Sequence, residues 1–129
     1  MFSHVMLGSN DLSQSRDFYD ALITQLGGKP GVQDRNRYFW RHAGNTFSVT
    51  TPINGAPASV SNGFTLGFTA ASVEQANAAY EAGVSAGGTP IEDPPGWRGG
   101  EKTGFYLAYL RDPSGHKVCV MYRVPKPMP

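Results

Sequence analysis

The chain has 129 residues, 40% of them hydrophobic, and a formal net charge of +1 from 11 basic and 10 acidic residues. This length suits a single domain with a core of its own, and the balanced charge argues against nucleic acid or an anionic membrane as a partner. The one cysteine, Cys119, excludes an internal disulfide and fits a reducing compartment. Because there is no apolar leader and no apolar run of membrane length, we expect a cytoplasmic protein.

A strand and then a helix are predicted at the start of the chain. Phe2 to Ser9 is a short apolar run without helical spacing, which is typical of a strand. The next segment carries apolar residues three and four positions apart, as one buried helix face requires: Leu12, Phe18, Tyr19, Leu22, Ile23 and Leu26. Asp11 is a good N-cap with Gln14 three residues later, and a Gly-Gly pair ends the helix.

Further strands are predicted in the rest of the first half. The segments "RYFWRHA" and "TFSVTTP" form a hairpin through the turn Ala43-Gly44-Asn45. A weakly marked strand precedes them near Lys29 to Val32. The Pro, Gly and Ser residues of "TPINGAPASVSNG" then form a linker to the second half.

The second half repeats the first. A strand at "GFTLGFTA" leads into a helix capped by Ser72 with Gln75 at its third position, and the strands "TPIED", "FYLAYLRD" and "KVCVMYR" follow. The spacing from Asp11 to Ser72 equals the spacing from Gln14 to Gln75. We therefore predict two βαβββ units, about 2–52 and 63–123, in one domain of residues 1–129, because each unit alone would leave a sheet face uncovered. The proline-rich tail from Pro125 is expected to lie loose on the surface.

The opening "SHVMLGSNDLSQSRDFYDAL" and the closing "YLRDPSGHKVCV" resemble the vicinal oxygen chelate superfamily, which includes glyoxalase I, bleomycin-resistance proteins and extradiol dioxygenases. The resemblance covers Phe2 to Arg123. It implies an α+β fold in which the two βαβββ modules form a cup-shaped, curled mixed sheet with the helices on the outside. It also implies a divalent metal held by one inward side chain from the first and last strand of each module, and a homodimer, often with modules paired across chains.

Strand alternation and the internal repeat place His4, Ser48, Thr65 and Cys119 at the four metal positions that the resemblance implies. A catalytic metal site needs at least three good donors, and serine and threonine hydroxyls are poor ligands. We therefore expect no cofactor, and a divalent metal is disfavoured. His4 is the candidate acid or base, or it forms a hydrogen bond within the sheet. Cys119 is a candidate ligand contact, or a small buried residue.

A long loop, "EDPPGWRGGEKTG", precedes the hairpin of the second half and is predicted to form a lid or rim beside the cup. Trp97 and Arg98 in this loop can stack on and pair with a planar anionic ligand. Alternatively, Trp97 fills a hydrophobic gap under the loop. Arg111 is expected to be a solvated surface charge.

Aromatic residues are abundant in Tyr38–His42 and Tyr106–Leu110. One alternating set of each strand should line the cup, and periodicity leaves open which set does so. Either choice gives an apolar pocket with a few polar groups, which suits a small organic molecule.

Three functions fit this sequence, and it does not decide whether the protein is an enzyme. We favour a protein of the bleomycin-resistance kind that binds a small organic molecule in the cup and has a degenerate metal site. The alternatives are a metal-dependent lyase, isomerase or dioxygenase, in which the ion would polarise vicinal oxygens, and a metal-independent enzyme that uses His4 as acid or base.

Overall fold

The structure is a computed structural model that describes residues 1–125. The N-terminal module contains β1 (Val5–Gly8), α1 (Leu12–Gln25), β2 (Val32–Asp34), β3 (Arg37–His42) and β4 (Asn45–Thr50). The C-terminal module contains β5 (Leu66–Thr69), α2 (Val73–Ser85), β6 (Thr89–Pro90), β7 (Gly96–Trp97), a 3-10 turn (Glu101–Thr103), β8 (Phe105–Arg111) and β9 (Lys117–Arg123). The predicted α+β fold with two βαβββ modules is confirmed. The expectation for the proline-rich tail falls mainly on residues outside the described range.

Each module forms its own mixed sheet. The N-terminal sheet has the order β1-β4-β3-β2 with β1 parallel to β4, and the C-terminal sheet has the order β5-β9-β8-β6 with β5 parallel to β9. The short strand β7 also pairs with β8. Within residues 1–125, the outer edges of β1 and β5 have no strand partner. Neither helix in this range is long and apolar enough to cross a membrane.

The two helices lie against each other. Each helix covers one face of its own sheet, as predicted, but α1 and α2 are also in extensive contact. The buried residues of both modules form one core, and Phe47 and Phe68 meet across the modules with ring centroids 5.5 Å apart. The helix-covered faces of both sheets therefore contribute to a single core. The sequence predicted a helix on each sheet, but it did not predict the contact between the two helices.

Each helix ends in a Gly-Gly pair, and both modules require glycine at these positions for the same physical reasons. The first glycines, Gly27 and Gly87, have φ angles of 94° and 108°, which side chains other than glycine rarely adopt. The second glycine has no room for a side chain: a Cβ on Gly88 would lie 2.6 Å from Cε1 of Phe18 and 2.9 Å from the carbonyl oxygen of Gly83. The repeated motif thus both ends the helix and allows the chain to pass close to the core.

We expect the substitution Gly88→Ala to lower the free energy of unfolding by about 1–3 kcal/mol, because the added methyl group overpacks this contact. The matched control is Gly96→Ala, where the new Cβ would meet its nearest neighbour at an ordinary 3.7 Å. The control should change the stability by less than about 0.5 kcal/mol. Urea denaturation of both variants checks this, and equal effects would contradict it.

The turn between β8 and β9 locks the two modules together. Asp112 is 4% exposed, and its carboxylate accepts hydrogen bonds from the Tyr19 hydroxyl at 2.6 Å and from the backbone N–H groups of Ser114 and His116 at 2.9 Å each. The His116 ring, through Nε2, lies 2.8 Å from the carbonyl oxygen of Gly8 and donates to it. Burial, and then the nearby Asp112 carboxylate, raise the pKa of Tyr19 well above its ordinary value. The turn that contains Asp112 and His116 therefore has a structural role, because it holds the two modules together.

Candidate functional site

The strand register assigns every strand residue to the helix-covered face or to the opposite face. In β3 the helix-covered residues are Tyr38 and Trp40, and in β8 they are Tyr106, Ala108 and Leu110, all of them buried. The structure thereby decides the alternative that periodicity left open. The N-terminal open face, as we term it, consists of Met6, Arg37, Phe39, Arg41, Thr46, Ser48 and Thr50. The C-terminal open face consists of Gly67, Thr69, Leu107, Tyr109, Arg111, Lys117, Cys119 and Met121.

Ser48 lies in the middle of the N-terminal open face. Its strand neighbours are Met6 on β1 and Phe39 on β3. The residue is fully buried, yet its Oγ has no hydrogen-bond partner among residues 1–125, and the same holds for Nε of Arg37 on this face. Buried polar atoms are nearly always paired in folded proteins. These two groups are therefore unsatisfied hydrogen-bonding atoms that lie just beneath the surface of this face.

Cys119 occupies the equivalent place on the C-terminal open face, between Gly67 on β5 and Tyr109 on β8. The residue is 6% exposed. Burial raises the pKa of the Cys119 thiol, and the favourable charge of Lys117 offsets this only in part. In the absence of a metal ion the sulfur is therefore a protonated thiol at neutral pH, which is a weak nucleophile.

His4 and Thr65 precede β1 and β5, and both are exposed. Nδ1 of His4 is hydrogen-bonded to Oγ of Ser3 at 2.8 Å. His4 borders a cavity of about 490 Å³ between the edges of β1 and β5, whereas Thr65 borders a separate cavity of about 560 Å³ beside Arg111. One chain therefore does not bring these two residues into a common site.

The four positions that the resemblance assigns to a metal do not fit a catalytic ion. In the described part of the chain, no group of three His, Cys, Asp or Glu side chains is placed to hold one. His4 and Ser48 belong to the N-terminal module, while Thr65 and Cys119 belong to the C-terminal module. Even if a second chain brought the pairs together, the donors would be one imidazole, one thiol and two hydroxyls, which is fewer than the three good ligands that a catalytic ion needs.

Trp97 does not reach the open face. It pairs in register with Tyr106, and its ring packs edge-on against Tyr106 and Tyr122 at centroid distances of 5.4 and 6.4 Å. This is the helix-covered side of the sheet, so Trp97 fills a hydrophobic gap under the loop. The structure thus favours the second of the two predicted roles for this residue.

Arg98, by contrast, lies over the C-terminal open face, with Cζ 5.7 Å from the ring centroid of Tyr109. Its guanidinium donates to the backbone carbonyls of Asp93, Pro94 and Gly96 at 3.0 to 3.3 Å. Arg98 therefore fixes the shape of the long loop and also presents a charge to the open face.

The sequence did not single out Arg111 and Lys117 as candidate site residues. The two side chains lie opposite each other on β8 and β9, and both line the 560 Å³ cavity with Thr65. The signal was present in the sequence, because Lys117 has the same strand parity as Cys119. Arg111 was predicted to be a solvated surface charge, and the residue is exposed in the structure, where it also borders this cavity.

Comparison with known proteins identifies the family. A family model for the Glyoxalase/Bleomycin resistance protein/Dioxygenase superfamily matches residues 1–120. No curated protein matches the chain at a significant level. A glyoxalase/bleomycin resistance protein from Albidiferax ferrireducens has 55% sequence identity and a TM-score of 0.90, with 96% of this chain and 99% of that chain covered.

More distant solved structures share the fold alone. A fosfomycin resistance protein from Mesorhizobium loti superposes with a TM-score of 0.68 at 15% identity, covering 96% of this chain and 92% of that one. A lactoylglutathione lyase from Agrobacterium tumefaciens gives a TM-score of 0.65 at 18% identity, covering 95% and 92%. The chain therefore belongs to the glyoxalase/bleomycin resistance protein/dioxygenase superfamily.

Proposed function

We propose that this protein binds a small organic molecule in a cup that two chains build together, without a metal of its own. The observation that carries the proposal is the chemistry of the two open faces. Ser48 and Cys119 stand where each module would otherwise supply a strong metal ligand, and burial keeps the Cys119 thiol protonated. What the faces do offer is aromatic surface, hydroxyl groups and cationic side chains, which suit shape and hydrogen-bond recognition.

The need for a second chain follows from the placement of the candidate residues. Within one chain, His4 and Thr65 border two separate cavities, so the two modules do not bring these residues to one ligand. The edges of β1 and β5 carry unpaired backbone groups, which natural sheets normally cover or pair. Pairing β1 of one chain with β5 of a second would join the N-terminal open face of the first to the C-terminal open face of the second. His4 and Ser48 would then face the partner's Thr65 and Cys119.

The side chains at the four positions give little support to the metal-dependent alternatives. A lyase or dioxygenase that polarises vicinal oxygens requires an ion with several firm ligands and an open position. Of the four positions, His4 and Cys119 supply at most two strong ligands, and serine and threonine hydroxyls are poor ones. A metal-independent reaction that uses His4 as acid or base stays compatible with the same cup, since His4 would lie near its rim.

The expected result is that the protein, purified without chelator, carries far less than one equivalent of Ni, Zn, Fe or Mn. A thermal-shift screen with small aromatic and thiol-conjugated compounds should give at least one compound that raises the melting temperature, because a ligand of the folded state stabilises it by mass action. Sedimentation of the same sample should give the mass of a dimer.

Each part of the proposal has its own contrary outcome. Near-stoichiometric metal would overturn the metal-free cup, and a single-chain mass at concentrations where a ligand binds would overturn the two-chain cup. If His4→Ala left both ligand shifts and any detected turnover unchanged, the catalytic role of His4 would be excluded. A screen in which no compound shifts the melting temperature would contradict the binding function.

A further inference from the structure

The C-terminal open face gathers positive charge around one tyrosine. Arg111 and Lys117 are direct cross-strand neighbours, an arrangement that destabilises a sheet when both charges are alike. Nζ of Lys117 lies 4.8 Å and Cζ of Arg98 lies 5.7 Å from the ring centroid of Tyr109. The whole chain has a net charge of only +1. The fold therefore concentrates positive charge on this face, although the net charge of the whole chain is close to zero.

These cations are only partly compensated within the chain. Lys117 pairs with the carboxylate of Glu92, and in the described range Glu92 is the one acid that forms an ion pair with this cluster. Arg111 donates to the carbonyl oxygen of Gly115 at 2.8 Å, and Arg98 donates to loop carbonyls. A carbonyl accepts a hydrogen bond but cancels no charge. A net positive charge therefore remains on this surface.

Glu92 has the features of an internal counter-ion. Its φ angle is 59°, in the left-handed region, where a residue other than glycine costs of order 1–3 kcal/mol and persists only when its surroundings hold it. Its side chain is 47% exposed, although it pairs with Lys117. Because an exposed ion pair contributes little free energy, another anion can replace this carboxylate on Lys117 at little cost.

Space for such an anion lies next to the same cations. The cavity of about 560 Å³ is lined by Arg111, Lys117, Thr65 and the turn at residues 61–63. This volume is in the range of sites for small organic molecules. The two cations and the Thr65 hydroxyl are hydrogen-bond donors, and carboxylate, sulfonate and phosphate oxygens accept most strongly from charged donors of this kind.

We propose that the molecule bound by this protein is an anion with an aromatic or apolar body. Arg111 and Lys117 hold the anionic group, Tyr109 contacts the body of the ligand, and Glu92 neutralises Lys117 in the free protein until the ligand replaces it. This inference rests on the proposed binding function and specifies the ligand class of the same cup. It assigns roles to Arg111, Lys117 and Glu92.

Two dyes with nearly the same aromatic body test the charge requirement. Anilinonaphthalene sulfonate carries an anionic group, and phenylnaphthylamine is its neutral counterpart. Fluorescence titration of the full chain should give tighter binding of the sulfonate dye by about tenfold or more, as expected for charge-assisted hydrogen bonds. Raising the ionic strength should weaken the binding of the sulfonate dye and leave the affinity of the neutral dye unchanged.

Three variants place the effect at this cluster. Arg111→Gln should lower the affinity for the sulfonate dye by about tenfold. Arg123→Gln removes the same charge from the same strand parity, roughly 20 Å along β9 from Lys117, and should change the affinity by less than about twofold. Glu92→Gln should strengthen binding of the sulfonate dye by about threefold or more, because it frees Lys117. A purely structural role of the cluster predicts no such gain.

The outcomes separate this inference from the proposed function. If the neutral dye binds as tightly as the sulfonate dye, or if Arg111→Gln and Arg123→Gln have equal effects, the anion site is overturned while binding in the cup stands. If neither dye nor any screened compound binds, the proposed function itself fails. If Arg111→Gln does not fold, Glu92→Gln still decides: tighter binding of the sulfonate dye supports the site, and unchanged or weaker binding overturns it.

Discussion

Replacing Asp112 with alanine is expected to lower the free energy of unfolding by about 3–5 kcal/mol. The substitution leaves three donors without their acceptor: the buried Tyr19 hydroxyl, the buried backbone N–H of His116 and the partly buried backbone N–H of Ser114. Each unsatisfied buried group costs about 1–3 kcal/mol. Because this turn joins β8 and β9 to α1, the loss loosens the contact between the two modules. Chemical denaturation followed by circular dichroism measures it.

Two further variants make this test specific. Asp17→Ala removes an exposed carboxylate whose ion pair with Arg16 lies on the surface, and it should cost less than about 1 kcal/mol. Tyr19→Phe removes a single donor and should cost about 1–1.5 kcal/mol. If Asp112→Ala is no more damaging than Asp17→Ala, the Asp112 carboxylate does not lock the modules.

The raised pKa of Tyr19 adds a pH dependence with a definite sign. The folded state keeps the phenol protonated at pH values where the unfolded chain, with an ordinary value near 10.0, ionises it. This contribution to stability is present in full below pH 10 and is lost as the pH rises toward the raised value. The alkaline loss of stability should therefore be smaller in Tyr19→Phe than in the unmodified chain.

Phe18→Ala is the second substitution with a large expected effect, about 3–5 kcal/mol of unfolding free energy. Phe18 is fully buried, and its ring fills the space beside Gly83 and Gly88. Because these two glycines have no side chains that can move into the cavity, the site can collapse only a little. Unfolding should stay a single transition for both modules, since they share one core.

A phenylalanine at the surface gives the matched control. Phe105 is 36% exposed, so Phe105→Ala should cost less than about 1.5 kcal/mol. Equal losses for the two variants would show that the space between the helices is not tightly filled. Two separate unfolding steps, one for each module, would contradict the shared core.

Local features of the fold were predictable because they depend on neighbouring residues. Asp11 and Ser72 cap the two helices as predicted, with side chains that accept hydrogen bonds from the backbone N–H groups of Gln14 and Gln75 at 3.0 Å each. Strand alternation also assigned Ser48 and Cys119 to the faces where they lie. Capping and alternation act over a few residues, so a single sequence contains them.

Features that depend on distant contacts were not predictable in the same way. The strand "TPIED" is only Thr89–Pro90 in the structure, because the loop that follows turns away at Glu92. The contact between α1 and α2 depends on small residues at positions facing another helix, and helical periodicity alone does not identify the partner. For the same reason the charges around Tyr109 are assembled by the topology and were not evident from the sequence.

The shared core also bears on how a chain of this kind arose. Each helix-covered face is completed by the other module, with Phe47 against Phe68 and Tyr19 against Asp112. An ancestor with one module would have needed an identical molecule to shield the same surface from water. Gene duplication followed by fusion would place both modules in one chain. The contact between their helix-covered faces then forms within a single molecule, so it no longer depends on protein concentration.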